Sequence, residues 1–448
     1  MNTVDRGVYF SSADGGIEQI LTEGSFEDSL VFNLLFERLL VIPDIFFFNN
    51  KHLIRHLEQT GDNALFLRAL AKGIVVPAFR YGHDHSFAGA LESISVDATV
   101  GIESRNYAIT SPEVLAMRFD AAYLGSDETQ AAARVVWPDD MGSMFGSHIE
   151  RVVTNDDPPV TDERLRRHWQ EIRSWRHDSI ETSLRETTRL GGTGVRRAQM
   201  FNAVGWAEGW LEKGASFPKP YAMIDAASSS GGPEMEAKAR LFVDVINISY
   251  ERNQANAFNV RHNLPRPLYQ SSPFVIGEIK EVRTGDIVAS FSMDVAVPST
   301  KALLATGSAN LLAIRDEYSS EFFNRRKEWA ACPTPATEDA LRAAALKYAE
   351  ELTRWAHSTA RRTRLSFFLT RSKRVLDGVA GLVGTGAASA AGLPTSLSLV
   401  SGLISLGATE AITTTVEVLA DRRVKVPVRP ETLDFGTARP APELNIPS

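Results

Sequence analysis

Apolar residues recur with helical spacing over Asp28–Leu39, where Leu30, Val31, Leu34 and Leu35 share one side. The pattern then changes to a continuous run, Leu40-Val41-Ile42, rich in β-branched residues and closed by Pro43, which cannot donate to a ladder. Helix followed by strand is predicted, with Ile45–Phe48 resuming the strand. Asn49 or Asn50 then caps a helix over Lys51–Leu57, because its side-chain oxygen accepts an otherwise orphaned backbone N–H. Phe66–Lys72 reads as a further helix ended by Gly73, and Ile74-Val75-Val76 as a second strand stopped by Pro77. Two strands joined by helices run parallel, since the crossover needs a helix's length. Their carboxyl ends then share the sheet edge where ligands of open α/β sheets bind.

Around this stretch the signal is weaker. Val8-Tyr9-Phe10 suggests a short strand, Ser93–Val100 alternates in the manner of a strand, and Pro112–Phe119 reads as a helix. Residues 154–160 carry paired prolines and turn formers, so an α/β domain over 1–153 is expected to end at this linker. Thr161 caps a helix with Leu165, Trp169, Ile172 and Trp175 on one stripe. Its arginines are interleaved with Glu171, Asp178 and Glu181, the mixture of a solvated face. Gly191-Gly-Thr-Gly194 lacks the Lys-Ser/Thr of a phosphate loop and follows a helix, so it reads as a helix-ending loop.

From Pro233 to about Phe258 an apolar helix carries an unusual number of polar residues. Asn247, Glu251 and Gln254 fall on one face, with Tyr250 and Asp244 close by. Two readings stay open: a buried hydrogen-bond network, or a ligand-contacting face. Phe274–Val282 and Asp286–Val297 read as a β-hairpin (274–297) within a helix-rich domain, 161–357. Thr337 is expected to cap a helix whose buried stripe is Leu341, Ala345, Tyr348, Leu352 and Trp355. No charged residue occurs from Gly378 to Thr409, while arginines and lysines stand on both sides of that run. Pro394 divides it into two Gly/Ala-rich arms, which suggests a helical hairpin within 358–425 that is either buried or able to meet an anionic membrane through 361–425. An extended, partly mobile Pro-rich tail follows over 426–448. The fold class expected is therefore mixed α and β: an α/β amino-terminal domain, a helix-rich region with a β-hairpin, and a carboxy-terminal helical hairpin.

Composition narrows the function classes. The 448 residues are 44% hydrophobic and 23% charged, ordinary globular values. A net charge of −7 argues against a protein that coats nucleic acid. The single cysteine, Cys332, can form neither an internal disulfide nor a multi-thiolate metal site, and no signal-peptide pattern opens the chain, so the cytoplasm is the expected compartment. No complete catalytic motif is present, which leads to an interaction or regulatory protein with a protein partner. A second reading gathers His52 and His56, four apart on a helix, with Asp44, His83, Asp84 and His85 near strand ends. Imidazole and carboxylate together suit zinc, manganese or iron, so these residues outline a metal-dependent hydrolase. A divalent metal is the one cofactor the residues suggest. The third reading is an effector that associates with membranes.

Overall fold

In the computed structural model the described residues are 7–14, 21–58, 64–79, 86–96, 110–124, 135–136, 163, 167–168, 170–171, 220–258, 260–263, 287–383 and 426–438. They belong to two units. The first comprises Met1–Phe291, Phe323–Thr337 and Phe435–Ser448; the second comprises Ser292–Phe322 and Glu338–Asp434.

The first unit is built on a five-stranded parallel sheet: β1 (Val8–Phe10), β2 (Leu40–Pro43), β3 (Val75–Phe79), β4 (Val135–Val136) and β5 (Arg261–Asn263), in the order β4-β3-β2-β1-β5. The fifth strand comes from beyond residues 154–160, where a linker is expected and which lie outside the described residues. Between β1 and β2 runs α1 (Glu23–Phe36), which starts earlier than its apolar periodicity because the Thr22 hydroxyl accepts the Ser25 N–H at 3.1 Å. α2 (Phe46–Asn49), α3 (Lys51–Glu58) and α4 (Leu65–Ala71) lead from β2 to β3. Gly73 ends α4 with φ of 66°, and the Ile74 N–H returns to the Ala69 carbonyl at 2.9 Å, which completes a Schellman turn.

Both prolines lie inside strands, and the ladder shows why they are tolerated. Leu40 N–H donates to Ile74 O at 2.7 Å and Asp44 N–H to Ala78 O at 3.0 Å. Alternate residues face alternate neighbours, so the nitrogen of Pro77 faces the β4 side, where pairing begins only at Ala78. Pro43 likewise faces β1 beyond the last pair, Tyr9 with Val41. β3 therefore runs through its proline to Phe79. At the entrance to β1, Gly7 has φ of 101°, and a Cβ there would collide with the backbone and side chain of Leu39.

Two predicted strands are helical. Phe46–Phe48 forms α2, because the Asp44 and Ile45 carbonyls take the Phe47 and Phe48 N–H groups at 3.2 and 3.0 Å and turn the chain. Ser93–Val96 belongs to α5 (Phe87–Val96). Its start is fixed from two sides: the Ser86 hydroxyl accepts the Gly89 N–H at 3.0 Å, and the Asp120 carboxylate takes the Phe87 and Ala88 N–H groups at 2.7 and 3.1 Å. Phe87, Ala90 and Leu91 then bury one helical face, and this outweighs the local alternation. Asp120 stands on α6 (Pro112–Leu124), which packs against α4 and α5.

The later region is helix-rich, with α8 (Thr300–Leu304), α9 (Ser308–Tyr318), α10 (Ser320–Ala331) and α11 (Pro335–Val383). β6 (Ile287–Pro298) pairs with β7 (Val428–Ala438), so the tail supplies a strand. The ladder is antiparallel: Ser299 N–H donates to Pro427 O at 2.8 Å, and the Thr432 hydroxyl donates to the Asp294 carboxylate at 2.8 Å. The Phe274–Val282 arm of the expected hairpin lies outside the described residues. Pro430 falls at a position that is not hydrogen-bonded to β6, where a proline costs no ladder bond. Met293, Val295 and Val297 are buried and Ser292, Asp294 and Ala296 exposed, the alternation of a ribbon with one face covered.

α11 begins two residues before Thr337, with Pro335 in its first turn and the Thr334 hydroxyl accepting the Thr337 N–H at 3.3 Å. Leu341, Ala345, Tyr348 and Leu352 form the expected buried stripe, and Trp355 is half-buried. The Tyr348 ring stacks on Phe322 with centroids 5.8 Å apart. Burial pushes its phenol well above the ordinary range; Arg315 pulls it down and Asp316 pushes it further up. A raised native pKa gives stability that is complete below the unfolded value of about 10 and is lost as pH rises. Thermal melts should therefore show wild-type protein losing stability above about pH 10, and Tyr348→Phe losing less of it.

Candidate functional site

The strand order reverses at β1. From β1 the chain proceeds to β2, β3 and β4 on one side, then returns to β5 on the other. The carboxyl edge beside β1 is thus the topological switch point, where open α/β sheets bind ligands.

Polar residues gather there. After Phe10 the chain makes one tight turn, Ser11–Ala13, closed by Asp14 N–H to Ser11 O at 2.9 Å, and Ser11, Ser12 and Asp14 are all buried. The Ser12 hydroxyl lies 2.9 Å from that of Ser29 on α1, and the Asn50 amide donates to Ser12 O at 3.3 Å. Asn50 also accepts the Leu53 N–H at 2.9 Å, so it caps α3 as the sequence suggests and ties that helix to the end of β1. Asp44 follows β2 at the same edge, buried, with its carboxylate accepting the Ile45 N–H at 2.7 Å.

The other side of the site is α7 (Pro220–Ala257), which packs on β1 and β5. Gly232, at φ 70° and ψ −163°, breaks it into two helical runs, the second starting at Pro233. Early in that run Lys238 is buried between Glu171 and Glu234, at 2.6 and 3.0 Å. Burial alone would lower its pKa, but the bonds to the two carboxylates outweigh burial and raise it, so the ammonium stays charged. Farther along, Asp244, Asn247, Glu251 and Gln254 form a stripe of at most 1% exposure, with Tyr250 buried beside it. The Phe258 ring stacks on Tyr9 of β1 at 6.2 Å, which sets the level of the helix end. α7 runs antiparallel to the strands it joins. At about 1.5 Å per helical residue, Gln254, Glu251 and Asn247 lie successively farther from Phe258 toward the carboxyl edge, where Ser11–Asp14 follow β1. Neither amide atom of Asn247 has a hydrogen-bond partner among the described residues.

Of the six residues singled out as metal ligands, Asp44, His52 and His56 are described. His52 and His56 project from one face of α3 as expected, but that face is packed on Phe26, with ring centroids at 5.6 and 5.7 Å. His52 Nε2 donates to the Leu21 carbonyl at 3.0 Å. Asp44 stands at the carboxyl edge, and His83, Asp84 and His85 lie outside the described residues. Among the described residues no three histidine, cysteine, aspartate or glutamate side chains come together to hold a metal. Sequence reasoning missed Ser11, Ser12 and Asp14. A polar Ser-Ser-Ala-Asp run directly after an apolar strand was the signal available for them.

Comparison with known proteins adds no identity. The chain matches no family model, no curated protein and no solved structure.

Proposed function

We propose that this chain is a cytoplasmic regulatory protein: its α/β unit takes a small polar ligand at the switch-point edge, and a protein partner responds to the liganded state. The observation that carries this reading is Asn247, wholly buried on the α7 stripe with both amide atoms unpartnered among the described residues. An unsatisfied buried polar group costs about 1–3 kcal/mol. A ligand offering one donor and one acceptor at that position recovers the cost, and the neighbouring buried carboxylates favour one that is rich in donors.

Scanning fluorimetry of the full-length protein against nucleosides, amino acids, polyamines and divalent cations tests it, because a ligand that binds only the native state raises stability. At least one class should raise Tm in wild type. Asn247→Leu keeps the branched outline of the side chain and removes the amide, so without ligand it should be more stable by about 1–3 kcal/mol, and the ligand-induced shift should vanish. A destabilised Asn247→Leu, together with a wild type indifferent to every class, would overturn the proposal.

A second reading, a metal-dependent hydrolase, is favoured by Asp14 and Asp44. Both are buried at the ends of adjacent strands, on the edge where the chain leaves β3 for His83-Asp84-His85. Zinc or manganese would then raise Tm in untagged wild type and fail to do so in Asp44→Asn and His83→Ala. Metal-free protein indifferent to both ions rejects this reading.

A further inference from the structure

The contact of α7 with β1 gives its polar stripe a direction. Phe258 N–H donates to Gln254 O at 3.0 Å, so the helical turn carries through Phe258, whose ring stacks on Tyr9. Gln254, Glu251, Asn247 and Asp244 stand four, seven, eleven and fourteen residues before Phe258, and at about 100° per residue all four fall within about 40° of it around the helix axis. The stripe therefore faces the β1 side. Asn247 lies about 16 Å from Phe258 along the helix, whereas β1 ends one residue after Tyr9. The amide is thus carried past the strand end, to the edge where Ser11–Asp14 and Asp44 lie.

The groups along this edge narrow what could bind there. The planar amide of Asn247, with neither atom partnered among the described residues, calls for a donor and an acceptor side by side. The carboxylates of Asp14, Asp44, Asp244 and Glu251, all at most 1% exposed, accept hydrogen bonds and repel anions. Lys238 and Arg240, described cations earlier on the same helix, are engaged by Glu171 and Glu234 and by Glu236, so they offer a phosphate little counter-charge. A polyamine supplies donors but no acceptor for the amide N–H, and an amino acid or a nucleotide brings an anion. A nucleoside meets every demand. Its base presents a donor beside an acceptor, the edge that asparagine reads in adenine. Its ribose hydroxyls donate to carboxylates, as they do at the switch points of dinucleotide-binding sheets, and it carries no net charge.

We infer that the ligand of the switch-point edge is an unphosphorylated nucleoside, with its base edge on the Asn247 amide and its ribose hydroxyls on the carboxylates at the ends of β1 and β2. This inference rests on the reading of that edge as a ligand site and adds the chemical class.

Thermal melts and isothermal titration of the full-length protein with adenosine, cytidine, their 5′-monophosphates, ribose and spermidine test it. Adenosine or cytidine should raise Tm, since a ligand of the native state stabilises it. The 5′-monophosphate of the nucleoside that binds should bind at least about ten-fold more weakly, because it brings like charge to the carboxylates. Asn247→Leu should weaken nucleoside binding about ten- to hundred-fold, the worth of two hydrogen bonds. Asp14→Asn and Asp44→Asn should each narrow the gap between nucleoside and monophosphate, a gain of binding that a misfolded variant cannot show. A shift with spermidine and none with either nucleoside would overturn the nucleoside assignment and leave the ligand site standing. A full shift with ribose alone, equal affinity for nucleoside and monophosphate, or undiminished nucleoside binding by Asn247→Leu would each overturn it too. No shift with any of these probes overturns the assignment, and no shift with amino acids and divalent cations in addition overturns the reading beneath it.

Discussion

Arg326→Ala is expected to cost about 3–5 kcal/mol of stability, the range for breaking a buried ion pair from one side. Arg326 comes from α10 and meets α1 almost 300 residues earlier, within one unit. One guanidinium nitrogen donates to the Phe36 carbonyl at 2.9 Å, the other to the Glu37 carboxylate at 2.8 Å, and the guanidinium stands over the Phe435 ring at 5.5 Å. Both partners of the ion pair are buried. Phe36 is the last residue of α1, so its carbonyl has no helical partner and a cation there also favours the helix dipole. Alanine removes all three contacts and leaves the Glu37 carboxylate buried without this counter-charge. Urea unfolding of Arg326→Ala, Glu37→Gln and the double variant measures the effect. The double variant should lose less than the two single losses together, because the second substitution removes the stranded charge. A loss under about 1 kcal/mol in Arg326→Ala, the level of a surface pair, would show that the contact is solvated.

That contact also marks the limit of what was legible in the sequence. Local signals were readable: the runs at β2 and β3, the Asn50 cap, the Gly73 stop and Pro233 starting a helix all follow from neighbouring residues. Where two local signals competed, tertiary groups decided. Phe46–Phe48 has strand propensity, but the turn after Asp44 made it helical; Ser93–Val96 alternates, but Ser86 and Asp120 had already fixed a helix. The polar character of the α7 stripe was plain from Asn247, Glu251 and Gln254. Its course beside β1 required Tyr9 on Phe258, an aromatic contact between residues far apart in the chain. The pairing of β6 with β7 and the Arg326–Glu37 bond are likewise non-local, and no periodicity encodes a partner more than 100 residues away.

Phe87→Ala should be comparably damaging, at about 3–5 kcal/mol for a buried phenylalanine cut back to alanine. Phe87 is wholly buried and is the ring on which four others converge: Phe47 at 4.6 Å, Phe79 and Phe119 at 5.1 Å, and Tyr123 at 6.2 Å. These rings come from α2, β3 and α6, so one side chain joins a strand to helices on both sides of it in sequence. Three of the four pairs are edge-on and the fourth is tilted at 58°, the arrangement in which aromatic rings add about 0.5–1.5 kcal/mol beyond the area they bury. The Phe87 backbone N–H is held by Asp120 as well, which fixes where the ring enters the cluster and limits how far the neighbours can collapse into the space that alanine leaves. Phe87→Leu refills most of the volume but loses the ring pairs, so its loss should be less than half that of alanine. Denaturant melts of the two variants separate cavity from ring geometry. Equal losses would mean that the aromatic contacts add nothing to packing, and a small loss in both would mean that the cluster closes around the missing ring.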